Sequence, residues 1–435
     1  QEHPGQESGL ARWRRQRRPR IASLAGDGYN ELLEALYARR RFGVRLGLAR
    51  TAAVAGALGW DELGIPVVRV AGTNGKGSTC AFLEAALVSA GKRVGRFSSP
   101  HLCRFTERFQ VDGAEVERDA VVEAAARVDA CGGGDLTFFE YSTCLALAIF
   151  IEAGVEIVLL EVGLGGRLDA TRAIGASVTA VTGVAFDHQG VLGNTLAEIA
   201  AEKAGASEPG RPLIVGISGE PDGQRLVVQA GGQLGASPVI ALDSAVEWTA
   251  PLGLRGRHQH QNAALAIEIL SALAELGQIP NEVALWQQGL SRARMPGRYE
   301  ALGRAPTVII DGAHNPHAAR ALGAELRRRR PRRTVAVVGV SADKDPTQIV
   351  APVLEVADEV LCTSSRHSRA LSATELASSL PRAQVVDGVE QAVRLARELA
   401  GPDGLVVVFG SLFVAGEARA SVTGESVDEI RATEP

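Results

Sequence analysis

The sequence sets a buried-strand run, Val67-Val68-Arg69-Val70, just before Gly72-Thr73-Asn74-Gly75-Lys76-Gly77-Ser78. A helical pattern follows at once, from Thr79 to Ala90, and stops at Gly91. Strand, glycine loop and helix in direct succession leave few folds open. Glycines accept positive φ and leave backbone N–H groups free to face phosphate oxygens. The helix N-terminus turns further N–H groups and its dipole toward the same anion. Lys76 can reach β- and γ-phosphates, and the Ser78 or Thr79 hydroxyl can ligate Mg²⁺. The spacing departs from G-x-x-x-x-G-K-[ST], because Gly77 stands between Lys76 and Ser78.

The alternation continues along the chain. Residues 29–60 read as two helical segments. Val94–Phe97, Ile157–Glu161 and Val178–Thr182 read as strands. Ala120–Ala130, Thr143–Ala153, Leu196–Ala204 and Asn262–Leu276 read as helices. After Met295-Pro296-Gly297-Arg298 a second series begins, with strands at Val308–Asp311, Val335–Val340, Glu359–Leu361 and Leu405–Phe409. This predicts an α/β protein. Its 435 residues exceed one ordinary core. The expected division is an Arg-rich, solvated tail (1–28), a large ATP-binding domain with a mostly parallel sheet (29–297), and a smaller Rossmann-like domain (298–435).

Composition narrows the function classes. A net charge of -4 argues against binding nucleic acid by bulk electrostatics. The run from Arg12 to Arg20 lacks the apolar stretch of a secretory signal, and no apolar run is long enough to span a membrane. Five scattered Cys, an odd number with no CxxC, fit a reducing compartment, so a cytoplasmic location is expected. Of 46 basic residues only four are Lys: Lys76, Lys92, Lys203 and Lys344. Where charge suffices this chain uses Arg, so a Lys raises the question of an amine.

Other positions suggest chemistry in themselves. Glu161 ends a buried strand, where a carboxylate faces the crevice of a parallel sheet. Asp187-His188 follows the next strand; a pair like this is usually a loop hydrogen bond. Lys203, beside Glu202, reads from its spacing as a helix-surface charge. Phe138-Phe139 could be core or could stack on a flat ring. His258 and His260 do not share a helix face, which argues against a zinc pair. Lys344 falls at the end of a strand, where its charge faces the crevice of the sheet.

The stretch A-G-T-N-G-K-G-S resembles the ATP loop of the folylpolyglutamate synthase/dihydrofolate synthase family of the Mur ligase superfamily. The likeness runs from about residue 30 to 417 and includes S-S-P-H-L (98–102), E-V-G-L-G-G-R-L-D-A-T (161–171), the D-H…E-K-A-G block (187–205), H-Q-x-x-N-A from His258, D-G-A-H-N-P (311–316) and the closing segment from Ser411 to Glu417. The resemblance implies an ATP-dependent amide ligase working through an acyl phosphate. It implies ATP contacts from Gly72, Thr73, Asn74, Gly75, Lys76, Gly77, Ser78, Asn262, Arg298, Asp311 and His314. It implies two Mg²⁺ held by Ser78, Ser99, Glu161, His188 and Lys203, with Lys203 carbamylated. Lys76, Lys203 and His188 would be catalytic. Ser98, Pro100, His101, Thr137, Phe138, Phe139, Glu140, Arg167, Leu168 and Asp169 would lie on the substrate side, with Lys344 helping to bind glutamate or charge in the cleft.

The implied partners are small molecules: ATP, L-glutamate, and a folate or dihydropteroate. A monomer is expected, with neither nucleic acid nor membrane as partner. Two departures bear on the substrate. Arg172 stands where the family commonly has Asn, and Arg45 where dihydropteroate-using members often have Asp. The rival readings are a Mur-type cell-wall amino-acid ligase and a P-loop NTPase without ligase activity.

Overall fold

The structure is a computed structural model that describes residues 27–39, 48–243, 251–329 and 332–428. The Arg-rich stretch 12–20 and the segment 41–47, with Arg45, lie outside them. Two sheets organise the chain. Among the described residues the first has eight strands, in the order β4 (Ala114–Glu115), β3 (Phe109–Val111), β2 (Val94–Phe97), β5 (Ile157–Glu161), β1 (Val67–Ala71), β6 (Val178–Val181), β7 (Leu213–Val215), β8 (Val239–Ala241), and the second six, in the order β13 (Ala383–Val385), β12 (Glu359–Cys362), β11 (Thr334–Val338), β14 (Leu405–Phe409), β10 (Thr307–Ile310), β9 (Glu300–Leu302). In the first, β1 (Val67–Ala71) lies between β5 (Ile157–Glu161) and β6 (Val178–Val181), parallel to both. In the second, β14 (Leu405–Phe409) lies between β10 (Thr307–Ile310) and β11 (Thr334–Val338), again in parallel. The antiparallel strands lie toward the edges: β3 (Phe109–Val111) on β2 (Val94–Phe97), and β9 (Glu300–Leu302) on β10.

Both faces of each sheet are covered, which is why the central strands are apolar throughout rather than alternating. Successive side chains still go to opposite layers. Val68, Val70, Ile157 and Leu159 pack under the helices Lys76–Ser89, His258–Glu275 and Val283–Leu290. Val67, Val158 and Leu160 pack on the other side, with Leu36, Val54, Tyr141 and Phe150. Likewise Val407 and Phe409 join Leu322 and Ile349, while Val406 and Val408 join Val393 and Val414.

The one charge inside β1 is satisfied. Arg69 is fully buried, donates to the carbonyls of Thr171, Ala206 and Ile174, and pairs with Glu208 at 3.0 Å. It pins the loop after β5 to the end of the helix Leu196–Ala204.

Three helix starts that bear on the site differ from the sequence reading. The helix expected from Thr79 starts at Lys76, because Gly75 turns the chain at φ 91 as its N-cap. The helix expected from Thr143 starts at Phe138. Thr137 accepts from Glu140 N, and Glu140 accepts from Thr137 N at 2.8 Å, so a capping box starts the helix earlier. Phe138-Phe139 is therefore its first turn, not a segment ahead of it. The helix expected from Asn262 starts at His258, so Asn262 lies in its second turn.

Candidate active site

The phosphate loop lies between β1 and the helix Lys76–Ser89, at the C-terminal edge of the central strands. Its glycines are there for space as well as for conformation. Gly72 has φ 136, and a Cβ on it would lie 1.9 Å from Thr182 Oγ1. Gly75 faces Asn262 in the same way, with Oδ1 2.5 Å from where a Cβ would be. We expect Gly72→Ala to destabilise the protein by about 2–4 kcal/mol and to weaken ADP binding. Denaturant midpoints and an ADP titration measure the two effects, and an unchanged midpoint would contradict the close approach.

Two lysines meet at one carbonyl. Lys76 Nζ and Lys203 Nζ each donate to Gly72 O at 3.0 Å, so the two nitrogens are no farther apart than twice that distance. Lys203 is only 5% exposed. Burial, helped by Lys76 and opposed by Asp187, lowers its amine to about 7. A large part of it is then neutral and nucleophilic near neutral pH.

Glu161, at the end of β5, is buried beside the loop. Its Oε2 accepts from Ser99 N at 3.2 Å and would lie 3.3 Å from a Cβ on Gly77. Burial pushes its carboxyl up, while Lys76 and Arg298 pull it back. Ser99 Oγ and Thr79 Oγ1 are buried without a hydrogen-bond partner, and Ser78, next to Thr79 in the chain, is buried too. Among the described residues no three His, Cys, Asp or Glu side chains gather into a metal cage. Mg²⁺ does not need one, since it is commonly held by one or two carboxylates, hydroxyls, waters and substrate phosphates. Glu161 with the unpartnered Ser99 hydroxyl fits that donor type. Imidazole is a less usual partner, and the His188 ring is half-exposed, in a residue at φ 50.

The second sheet closes the site from the other side. Lys344 Nζ pairs with Asp187 Oδ1 at 2.6 Å, and Asn315 Nδ2 donates to Asp187 Oδ2 at 3.0 Å. Burial opposes ionisation of Asp187, but His314, His188 and Lys344 outweigh it and hold the carboxyl well below its ordinary range. Arg298 lies against the Gly312 turn, its Nη1 2.4 Å from where a Cβ on that glycine would be. Its positive charge favours the ionised form of Glu161.

Other expected site residues turn out to have structural partners. Asp169 accepts from Gly163 N, Leu164 N, Thr171 N and Thr171 Oγ1, so it ties its own loop together. Arg167 is exposed and paired with Glu202, and Leu168 is half-buried. Asp311 accepts from Tyr299 N and Ala313 N and ties its own loop to the residue just before β9. Glu140 pairs with Arg50 at 3.0 Å besides capping its helix.

On the proposed substrate side, Phe138 stacks on Tyr37 in the core. Phe139 is half-buried, tilted on Phe97, and covers Gly163. Ser98 accepts from Arg96, His101 accepts from Arg108 at Nδ1, and Pro100 is exposed. Sequence reasoning left Asn315 without a role and gave Asp187 none beyond a loop contact. The only signal for either was its place in a motif.

Residues 297–412 match the family described as Mur ligase, glutamate ligase domain. The chain is 37% identical over 389 residues to the dihydrofolate synthase/folylpolyglutamate synthase of Escherichia coli, covering 85% of this chain and 89% of that protein. It is 34% identical over 437 residues to a probable bifunctional folylpolyglutamate synthase/dihydropteroate synthase of Haloferax volcanii. That match covers 93% of this chain, which spans about half (52%) of the longer archaeal protein.

Among solved structures, E. coli FolC in complex with DHPP and ADP superposes with a TM-score of 0.84 at 34% identity, covering 93% of this chain and 99% of that one. The Yersinia pestis bifunctional folylpolyglutamate synthase/dihydrofolate synthase, complexed with AMPPNP and Mn, gives 0.83 at 34% identity, with 92% and 99% covered. With that cover and identity over nearly the whole length, the chain belongs to the dihydrofolate synthase/folylpolyglutamate synthase family.

Proposed function

We propose that this chain is an ATP-dependent ligase that joins L-glutamate to the carboxylate of a folate, with dihydropteroate as a possible second acceptor. One observation carries the reading: Lys76, Glu161 and the buried amine of Lys203 converge on the phosphate loop, with Asp187, Lys344 and Asn315 closing over it. A bare NTPase switch would have no use for the second sheet or for a buried lysine. The named relatives, and bound ADP, AMPPNP and DHPP in the solved structures, support the same activity.

In the first step an acceptor carboxylate oxygen attacks the γ-phosphorus, the bond to the β-phosphate oxygen breaks, and ADP leaves. The amine of glutamate then attacks the acyl carbon, loses a proton, and the tetrahedral adduct collapses with release of phosphate. Loop N–H groups, Lys76 and Arg298 neutralise and align the phosphates. A divalent cation, held by Glu161, Ser99 and Ser78, would supply charge neutralisation at the transferring phosphoryl group.

Carbamylation of Lys203 would convert a cation beside the phosphate loop into an oxygen donor, and a second metal position at His188 belongs to the same reading. Residues 29–297 would form the ATP- and folate-binding domain and 298–435 the glutamate-ligase domain, acting as a monomer. The test is incubation with Mg-ATP, L-glutamate and either tetrahydrofolate or dihydropteroate, followed by mass spectrometry. A mass increase of one glutamyl residue is expected. ATP turnover with no glutamylated product from either acceptor would sink the proposal.

A further inference from the structure

Asn315 is 1% exposed, and its side-chain amide is fully engaged. It lies just before the helix Pro316–Arg329, and its Oδ1 accepts from Ala318 N at 2.9 Å, as a helix cap does. The same oxygen accepts from Asn74 Nδ2 at 3.2 Å. Its two N–H groups go to two different loops of the other sheet: one to Asn74 Oδ1 at 2.9 Å, the other to Asp187 Oδ2 at 3.0 Å.

A primary amide has two donors and one acceptor oxygen with two lone pairs. Here every one is used, and they connect three segments: the phosphate loop, the loop carrying Asp187 and His188, and the helix cap of the second sheet. Asn74 is held further by His317 Nδ1 at 3.1 Å and, through its backbone carbonyl, by Thr182 Oγ1 at 2.6 Å. Asp187 is held further by Lys344. A helix cap alone needs only an acceptor, which Asp or Ser supplies as well as Asn. The two N–H groups reaching across to the other sheet are what the cap does not explain.

We propose that Asn315 is a positioning residue that fixes the phosphate loop and the Asp187–His188 loop relative to each other when the second sheet closes over the site. The inference rests on the ligase reading only for its activity readout. Asn315→Asp keeps the cap acceptor and the side-chain shape. It removes both donors and sets a second carboxylate against that of Asp187. Asn315→Ser keeps a cap oxygen, adds no charge and loses the reach.

Expected are a lower melting temperature for Asn315→Asp, since a buried carboxylate then faces that of Asp187, and, measured on fully folded protein, a kcat lower by about 10²-fold, since one of the two lost hydrogen bonds goes to a charged acceptor. For Asn315→Ser the expected loss is about tenfold. The KM for the folate acceptor stays unchanged in both. Mn²⁺ affinity in the presence of ADP, followed by EPR, is expected to fall about tenfold in Asn315→Asp. This second readout requires no ligation, so it stands even if no glutamylated product forms with the unaltered protein. Mn²⁺ affinity and kcat both within threefold of the unaltered protein would overturn the proposal. So would losses that only track a fall in melting temperature.

Discussion

Lys203→Ala is expected to lower kcat by about 10³-fold while the protein remains folded, and acetate added to the assay is expected to restore part of the rate. The reason lies in where the amine sits. Lys203 Nζ is buried on the Gly72 carbonyl beside Lys76, and burial brings its pKa down to about 7. A permanent ammonium there would repel both Lys76 and the cation that accompanies ATP. A neutral amine that takes up CO₂ forms an N–C bond, releases one proton and becomes an anionic carbamate. It then offers oxygens where the ammonium offered only N–H donors. A small carboxylate diffusing into the space left by Ala can replace those oxygens.

The same argument fixes the sign of two further responses. Lys203→Arg is expected to be as inactive as Lys203→Ala, because a guanidinium stays protonated and cannot form a carbamate. Activity of the unaltered enzyme is expected to fall as pH drops below about 7, where the amine protonates, and to fall in CO₂-depleted buffer at constant pH. Steady-state rates with and without bicarbonate measure both. Full activity of Lys203→Arg at low CO₂ would remove the carbamate.

Glu161→Gln is expected to cost about 10³-fold in kcat, with a small change in stability. Gln is the same size and still accepts the hydrogen bond that Ser99 N gives at 3.2 Å. It also relieves a buried carboxylate that desolvation already destabilises. What is lost is the negative charge next to the phosphate loop, opposite Lys76 and Arg298. High Mg²⁺ should offset part of the defect, so the concentration giving half-maximal rate is expected to rise. Rate against Mg²⁺ concentration decides it. A variant with unaltered kcat and unaltered Mg²⁺ dependence would show that Glu161 holds no cation.

The fold was legible wherever the apolar pattern was continuous. The runs at 67–70, 157–161 and 405–409 are buried on both faces, and a strand of that kind has no other arrangement. The antiparallel strands β3 and β9 were not legible, because at three residues each they are too short to set up a period. The start of the helix at Phe138 was obscured by its capping box, a contact of Thr137 and Glu140 rather than a periodicity.

The site divides in the same way. The phosphate loop and Glu161 could be reasoned from strand ends and glycines. Asp169 and Asp311 look alike in sequence as carboxylates after or near a strand. In the structure Asp169 accepts from three backbone N–H groups and Asp311 from two, whereas Glu161 accepts from one, that of Ser99. Lys344, expected to bind glutamate or charge in the cleft, is bonded to Asp187, a pairing that depends on how the two sheets meet. The scarcity of lysine did mark three positions around one cleft. The fourth, Lys92, pairs with Glu156 in an exposed ion pair.

The central claim is transfer of a phosphoryl group to the acceptor carboxylate ahead of amide formation. It is tested most directly with a folate acceptor labelled with ¹⁸O in its reacting carboxylate. The acyl phosphate route breaks the carbonyl carbon–oxygen bond when glutamate attacks, so the released phosphate must carry one labelled oxygen for each amide formed. Phosphate labelled in step with glutamylated product is the predicted result. Product formed with unlabelled phosphate, or ATP hydrolysed with no label transfer and no product, would contradict the account.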